Sequence, residues 1–317
     1  MIEREVAIRQ LARDIAQCSE LKNVSLDSGH PCRTVANASR AGDFRQLPEA
    51  WVGNLETARL MILSSNPTIS VGENPKKQEL FPLGGSSNPE IEHPEWPIDR
   101  VLDFQLNRFD QQRETPYVLS DTRYLTVAES HVNSTNKYWT QSFRIGREIF
   151  GSEFQMERDI VLTEVVHCKS KKEIGVKETV ATCSRRYLNR LLGLTMAQLV
   201  VIAGAQARDR VHELRQMKAD VAWDVDDDFG FLPTTKVGLK DLKAVDRRKH
   251  LGIVRCGQRH LPIVALQQLS MGSNPCRSLT SLLGVTGTNQ LSDVVLGKTS
   301  LDLSAMSRSE FANFVLS

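Results

Sequence analysis

The chain has 317 residues, with 40 lysines and arginines against 38 aspartates and glutamates and a formal net charge of +2. That length supports a full hydrophobic core, and the balanced charge excludes a global drive toward polyanions, so any nucleic-acid surface has to be a local patch. Six dispersed cysteines without a C-x-x-C pair exclude a disulfide framework or a zinc pattern, and no apolar run reaches the ~20 residues of a membrane span. The expectation is a cytoplasmic protein with reduced thiols, no membrane association and no metal.

In chain order, Val6, Ile8, Leu11, Ala12 and Ile15 recur at helical spacing and predict an amphipathic opening helix over 3–17. Asp27-Ser28-Gly29-His30-Pro31 then reads as loop. Arg59-Leu60-Met61-Ile62-Leu63 is a short apolar run that stops at Ser64-Ser65-Asn66-Pro67, as a buried parallel strand entering a functional loop would. Residues 70–156 fit a sheet poorly, being rich in proline, glycine, asparagine and aromatics. They read as an insertion walling a pocket, with helices near 98–109 and 139–150. Three further strands are predicted at 160–166, 199–203 and 261–266. A helix over 178–192, closed by Gly193, lies between the first two of these.

Strand-helix-strand order predicts right-handed crossovers and a mainly parallel four-stranded sheet in a three-layer α/β/α arrangement, as one domain with a helical C-terminal tail. Asp224-Val225-Asp226-Asp227-Asp228 reads as a solvated acidic loop, and 236–260 as a basic segment with eight lysines or arginines against two aspartates. Ser307 and Glu310 have the spacing of a capping box before a final short helix.

Ligands of open parallel sheets collect beyond the carboxyl ends of the strands. Strand one delivers Asn66 there, strand two the run Thr163-Glu164-Val165-Val166-His167-Cys168-Lys169-Ser170, and strand four Ser270 to Pro275. The strand-one and strand-two loops resemble the active-site motifs of the uracil-DNA glycosylase superfamily. The first motif of several branches is Gly-x-Asn-Pro-Gly, and this chain keeps Asn66-Pro67 while losing both glycines. The resemblance covers roughly 58–66, 159–208 and 261–275.

The resemblance implies hydrolysis of an N-glycosidic bond in DNA after base flipping, leaving an abasic site. Asn66 would orient the attacking water. Glu164 stands where the most similar branch has the asparagine that reads uracil. A carboxylate cannot donate to uracil O4 but can accept from the exocyclic amine of cytosine, which points to a modified, cytosine-derived base. The alternative for Glu164 is a structural pairing with a cation such as Lys169 or Arg185.

Ser65, Ser270 or Asn274 would hold the base, with Phe81 and Trp139 as stacking candidates. His167, Lys169, Ser170, Lys171 and Lys172, with Arg247, Arg248 and Lys249 from the basic segment, are the expected DNA contacts. The similar branch often holds an iron–sulfur cluster on four cysteines. With thirteen residues between Cys18 and Cys32, the expectation here is free thiols and no cofactor. A monomer acting on DNA is expected, in phage defence or repair, with a downstream abasic-site nuclease as partner. A catalytically silent DNA- or nucleotide-binding module is the reading from another class.

Overall fold

A computed structural model describes residues 2–24, 29–41, 44–45, 47–65, 67, 98–114, 116–120, 123–125, 131–133, 137–215, 221–230, 244–267 and 278–317. In chain order its elements are α1 (Ile2–Ala16), α2 (Ser19–Asn23), α3 (Arg33–Ala38), β1 (Arg40–Ala41), β2 (Phe44–Arg45), β3 (Leu60–Ser64) and α4 (Ile98–Leu106). There follow β4 (Val118–Ser120), β5 (Arg123–Leu125), β6 (His131–Asn133), α5 (Lys137–Phe150), α6 (Met156–Asp159), β7 (Ile160–Glu164) and α7 (Val176–Leu194). The chain closes with β8 (Leu199–Ala203), α8 (Ala205–Arg215), β9 (Val221–Asp224), α9 (Ala244–Arg248), β10 (Leu251–Cys256), β11 (Arg259–Leu266), α10 (Leu279–Val295) and α11 (Arg308–Leu316).

The fold is α/β with a mixed sheet of six strands, where four in a mainly parallel sheet are expected from sequence. The additional strands are β9 and β10, which run antiparallel. No helix among the described residues is long and apolar enough to cross a membrane. By internal contacts the chain divides into two compact units. The first comprises Met1–Glu56, Ser65–Asn136 and Val161–Thr195, and the second Thr57–Ser64, Lys137–Ile160 and Met196–Ser317.

In the second unit β3, β8 and β11 run parallel, with Leu60 opposite Leu199 and Val200 opposite Ile263. All five residues of β3 and all five of β8 are buried, which explains their unbroken apolar sequences. Burying a leucine, valine or isoleucine side chain there contributes about 1.5–3 kcal/mol. β11 turns back on β10 through Gly257 and Gln258, pairing Cys256 with Arg259, and β10 pairs β9 on its other side. Gly257 has φ +58°, the conformation that a two-residue hairpin turn requires. α5, α10 and α11 pack together, and Gly287 of α10 is needed because a Cβ there would lie 2.7 Å from the Val315 carbonyl oxygen. The Ser307–Glu310 capping box is formed.

In the first unit α1 packs on α4 and α7, closing a core that includes Leu11, Ile15, Trp51, Leu55, Phe109 and Tyr187. α7 runs through Gly193 to Leu194 instead of ending before it, because Thr195 N–H still reaches the Leu191 carbonyl. β7 lies in this unit from Val161 onward. Leu162 exchanges two backbone hydrogen bonds with Val52, at 2.8 and 2.9 Å.

Candidate functional site

The first unit gathers the loops that follow β3 and β7. Val166 N–H donates to the Ser65 carbonyl at 3.1 Å, and Ser170 N–H to the Pro67 carbonyl at 3.1 Å. The residues flanking position 66 are thereby fastened along the 166–170 segment. Glu164 ends β7 and is buried, as is Ser65. The Ser65 hydroxyl oxygen has no hydrogen-bond partner among the described residues. Two buried polar side chains therefore stand at one strand-end crossing.

Behind this crossing lies a buried charged cluster. Lys169 is 1% exposed and its Nζ lies 2.9 Å from Glu49 Oε2. Arg108 Nη1 approaches Glu49 Oε1 at 3.4 Å, and its guanidinium covers the Phe104 ring at 4.2 Å. The Glu49 N–H donates to the His167 carbonyl at 2.9 Å, and His167 Nδ1 donates to the Glu49 carbonyl at 2.8 Å. That bond fixes the neutral imidazole with its proton on Nδ1. Burial depresses the His167 pKa from 6.5 to about 4, against the opposing pull of the Glu49 backbone and carboxylate. The ring meets Tyr187 edge-on at 5.6 Å, and His167 N–H donates to Cys183 Sγ at 3.4 Å. Gln105 completes the cluster by accepting from Ala50 N–H at 3.0 Å.

These positions bear directly on the expected DNA contacts. His167, Lys169 and Ser170 are interior residues, because the ion pair and backbone bonds just described draw them into the core. Lys172 is exposed, while the side chain of Lys171 lies outside the described residues. Lys172 and Glu173, with φ of 57° and 58°, are the two non-glycine residues of left-handed backbone among the described residues. Such a conformation costs about 1–2 kcal/mol per residue. The next bend, at Gly175, has φ +75° and sits so close to α3 that a Cβ would lie 2.3 Å from Val35 N.

In the second unit, Ser64 at the end of β3 accepts a hydrogen bond from the Tyr138 hydroxyl at 3.2 Å, and Trp139 is buried in α5. Gly204, at φ +100°, turns β8 into α8. Lys249 lies 2.6 Å from Asp228 and 3.7 Å from Asp246, so its charge is matched by neighbouring carboxylates. Arg247 is half-buried and Arg248 exposed. His250, fully buried, donates from Nδ1 to the Ala265 carbonyl at 2.7 Å beside the carboxyl end of β11. Asn66, Phe81, Ser270 and Asn274 lie outside the described residues.

Glu49 and Arg108 are the participants that sequence reading misses. Neither sits in a motif, and Glu49 follows a proline in a segment with no regular pattern. The four cysteines of an implied iron–sulfur cluster are buried in the first unit, where Cys18, Cys32 and Cys183 influence one another electrostatically. Burial, then Cys18 and Glu20, push the Cys32 thiol up to about 12. No group of three or more metal-ligating side chains among the described residues is close enough to hold a metal ion, so this arrangement does not fit a cluster.

Neither the protein-family models nor the curated proteins contain a match to this chain.

Proposed function

We propose that the protein is a DNA glycosylase of the uracil-DNA glycosylase type, a three-layer α/β/α enzyme that flips out a cytosine-derived base and hydrolyses its N-glycosidic bond. The observation that carries this reading is the pair of backbone hydrogen bonds joining Ser65 and Pro67 to Val166 and Ser170. They support a site in which the residue after Ser65 acts beside the end of β7. The bond between C1′ of the sugar and the base nitrogen breaks, its electron pair leaving with the base. A water held by Asn66 adds to C1′ and its proton ends on the departed base, leaving an abasic site. Glu164 accepts from the exocyclic amine of the base, and Ser65 offers a hydroxyl donor to its remaining edge. Modified cytosines in phage DNA would supply such a substrate in the cytoplasm, and a nuclease acting at abasic sites would consume the product.

Base release from duplexes carrying uracil, cytosine, hydroxymethylcytosine or glucosylated hydroxymethylcytosine tests the proposal. Release of a cytosine-type base is expected. It should fall on the order of 100-fold in Asn66→Ala, as when a preorganised polar group is removed from an active site, and disappear in Glu164→Asn. Unchanged release in Glu164→Asn would overturn the role of that carboxylate, and release of uracil alone would make the enzyme a repair glycosylase.

The interior positions of His167, Lys169 and Ser170 favour a second reading, a nucleotide-binding module without catalysis. It requires that no base be released by the unaltered protein.

A further inference from the structure

A cavity of about 450 Å³ opens between α1, α4 and residues 51–56 of the first unit, and none of the residues at the strand-end crossing lines it. Its volume falls in the range of small-molecule sites, roughly 300–1,000 Å³. The floor is apolar: Trp51, Leu55 and Leu102 are buried and Leu106 is half-buried. Water over such a floor finds few hydrogen-bond partners, so an apolar group that displaces it gains free energy.

The walls are held before anything binds. Gln105 on α4 accepts from Ala50 N–H at 3.0 Å and donates to the Pro48 carbonyl at 3.3 Å, which ties the helix to the start of the facing segment. Val52 exchanges backbone hydrogen bonds with Leu162 and so fixes that segment against β7. A cavity whose walls need no ordering keeps more of its contact energy as affinity.

Charge selects the occupant. Two exposed ion pairs border the cavity, Arg9 with Glu5 at 3.0 Å and Arg13 with Asp99, and each neutralises itself. Asp103 is already bound by Arg113 at 2.9 Å and by Asn107 at 2.8 Å. Glu56 differs from these. It lines the cavity half-buried, and its carboxylate has no cation or hydrogen-bond donor among the described residues. One unmatched carboxylate beside an apolar floor calls for one cation carried on an apolar body.

We infer that this cavity binds a small organic amine, with its apolar body over Trp51, Leu55 and Leu102 and its ammonium on the Glu56 carboxylate. The site is separate from the proposed base pocket, and no part of it depends on the glycosylase reading.

Calorimetric titration of the full chain with phenethylamine, phenethyl alcohol and methylamine tests the site. The first probe carries both features, the second the apolar body alone and the third the ammonium alone. Phenethylamine should bind at a single site, on the order of tenfold more tightly than either of the others, as expected of a charge-assisted hydrogen bond. In Glu56→Gln its affinity should fall to that of phenethyl alcohol, whose own binding should not change. Leu106→Trp, which fills the cavity, should remove the binding of both. Failure of phenethylamine to bind, or equal binding of the alcohol or of methylamine, overturns the proposal. So does a Glu56→Gln variant that leaves phenethylamine unaffected or weakens amine and alcohol alike, and binding that survives Leu106→Trp places the amine elsewhere. None of these readouts involves base release, so the site and the glycosylase reading can each fail without the other.

Discussion

Glu49 in the first unit and the acidic loop Asp224–Asp228 in the second both collect cations, under opposite conditions of solvation. Glu49 holds Lys169 and Arg108 where water is excluded, and all three are buried. In the loop, Asp224 meets Arg255 at 3.5 Å, Asp226 meets Arg308, Asp227 meets Arg215 and Asp228 meets Lys249 at 2.6 Å, mostly with solvent at hand. Charge pairing is thus common to both, and burial decides what each pair is worth. Removing one partner inside strands an ion in a medium that cannot solvate it, whereas outside water takes the place of the lost partner.

The largest expected break in this contrast is Lys169→Met. Glu49 would lose its 2.9 Å ion-pair partner inside the core, and about 3–5 kcal/mol of stability should be lost, read from the urea midpoint. A pH titration of the same unit sharpens the comparison. His167 is neutral in the fold, with a pKa of about 4, and ordinary at 6.5 when unfolded. Its contribution is complete above 6.5 and is lost as pH falls toward 4, because the unfolded chain takes up the proton first. The gap corresponds to about 3 kcal/mol, and His167→Gln should flatten stability across that window. The smallest effect belongs to the loop: Asp227→Asn, at a carboxylate 87% exposed, should leave the urea midpoint where it is.

The same distinction between near and distant partners explains what could be read from sequence. β3, β7, β8 and most of β11 were legible because a strand buried on both faces needs an unbroken apolar run, a local signal. The helix at 2–16 was visible from its apolar spacing, and helices expected near 98–109 and 139–150 form at 98–106 and 137–150. α10 was not, since Thr280, Gly284, Gly287 and Thr288 argue against a helix, and it forms because α5 and α11 cover it. β10 was concealed inside a segment that its lysines and arginines made look uniformly basic. At the candidate site, the ends of β3 and β7 could be matched by motif. The Glu49–Lys169 pair joins residues 120 positions apart and leaves no local pattern, so Lys169 reads as a surface cation.

The sulfur atoms add one more consequence. Cys18, Cys32, Cys168 and Cys183 are all buried in the first unit, whereas Cys256 in the second is partly open. A thiol-alkylating reagent can reach the first four only when their surroundings open. The molecule therefore carries its own clock for breathing motions of the first unit, readable by mass as labels accumulate, with Cys256 as the early tick against which the others are timed.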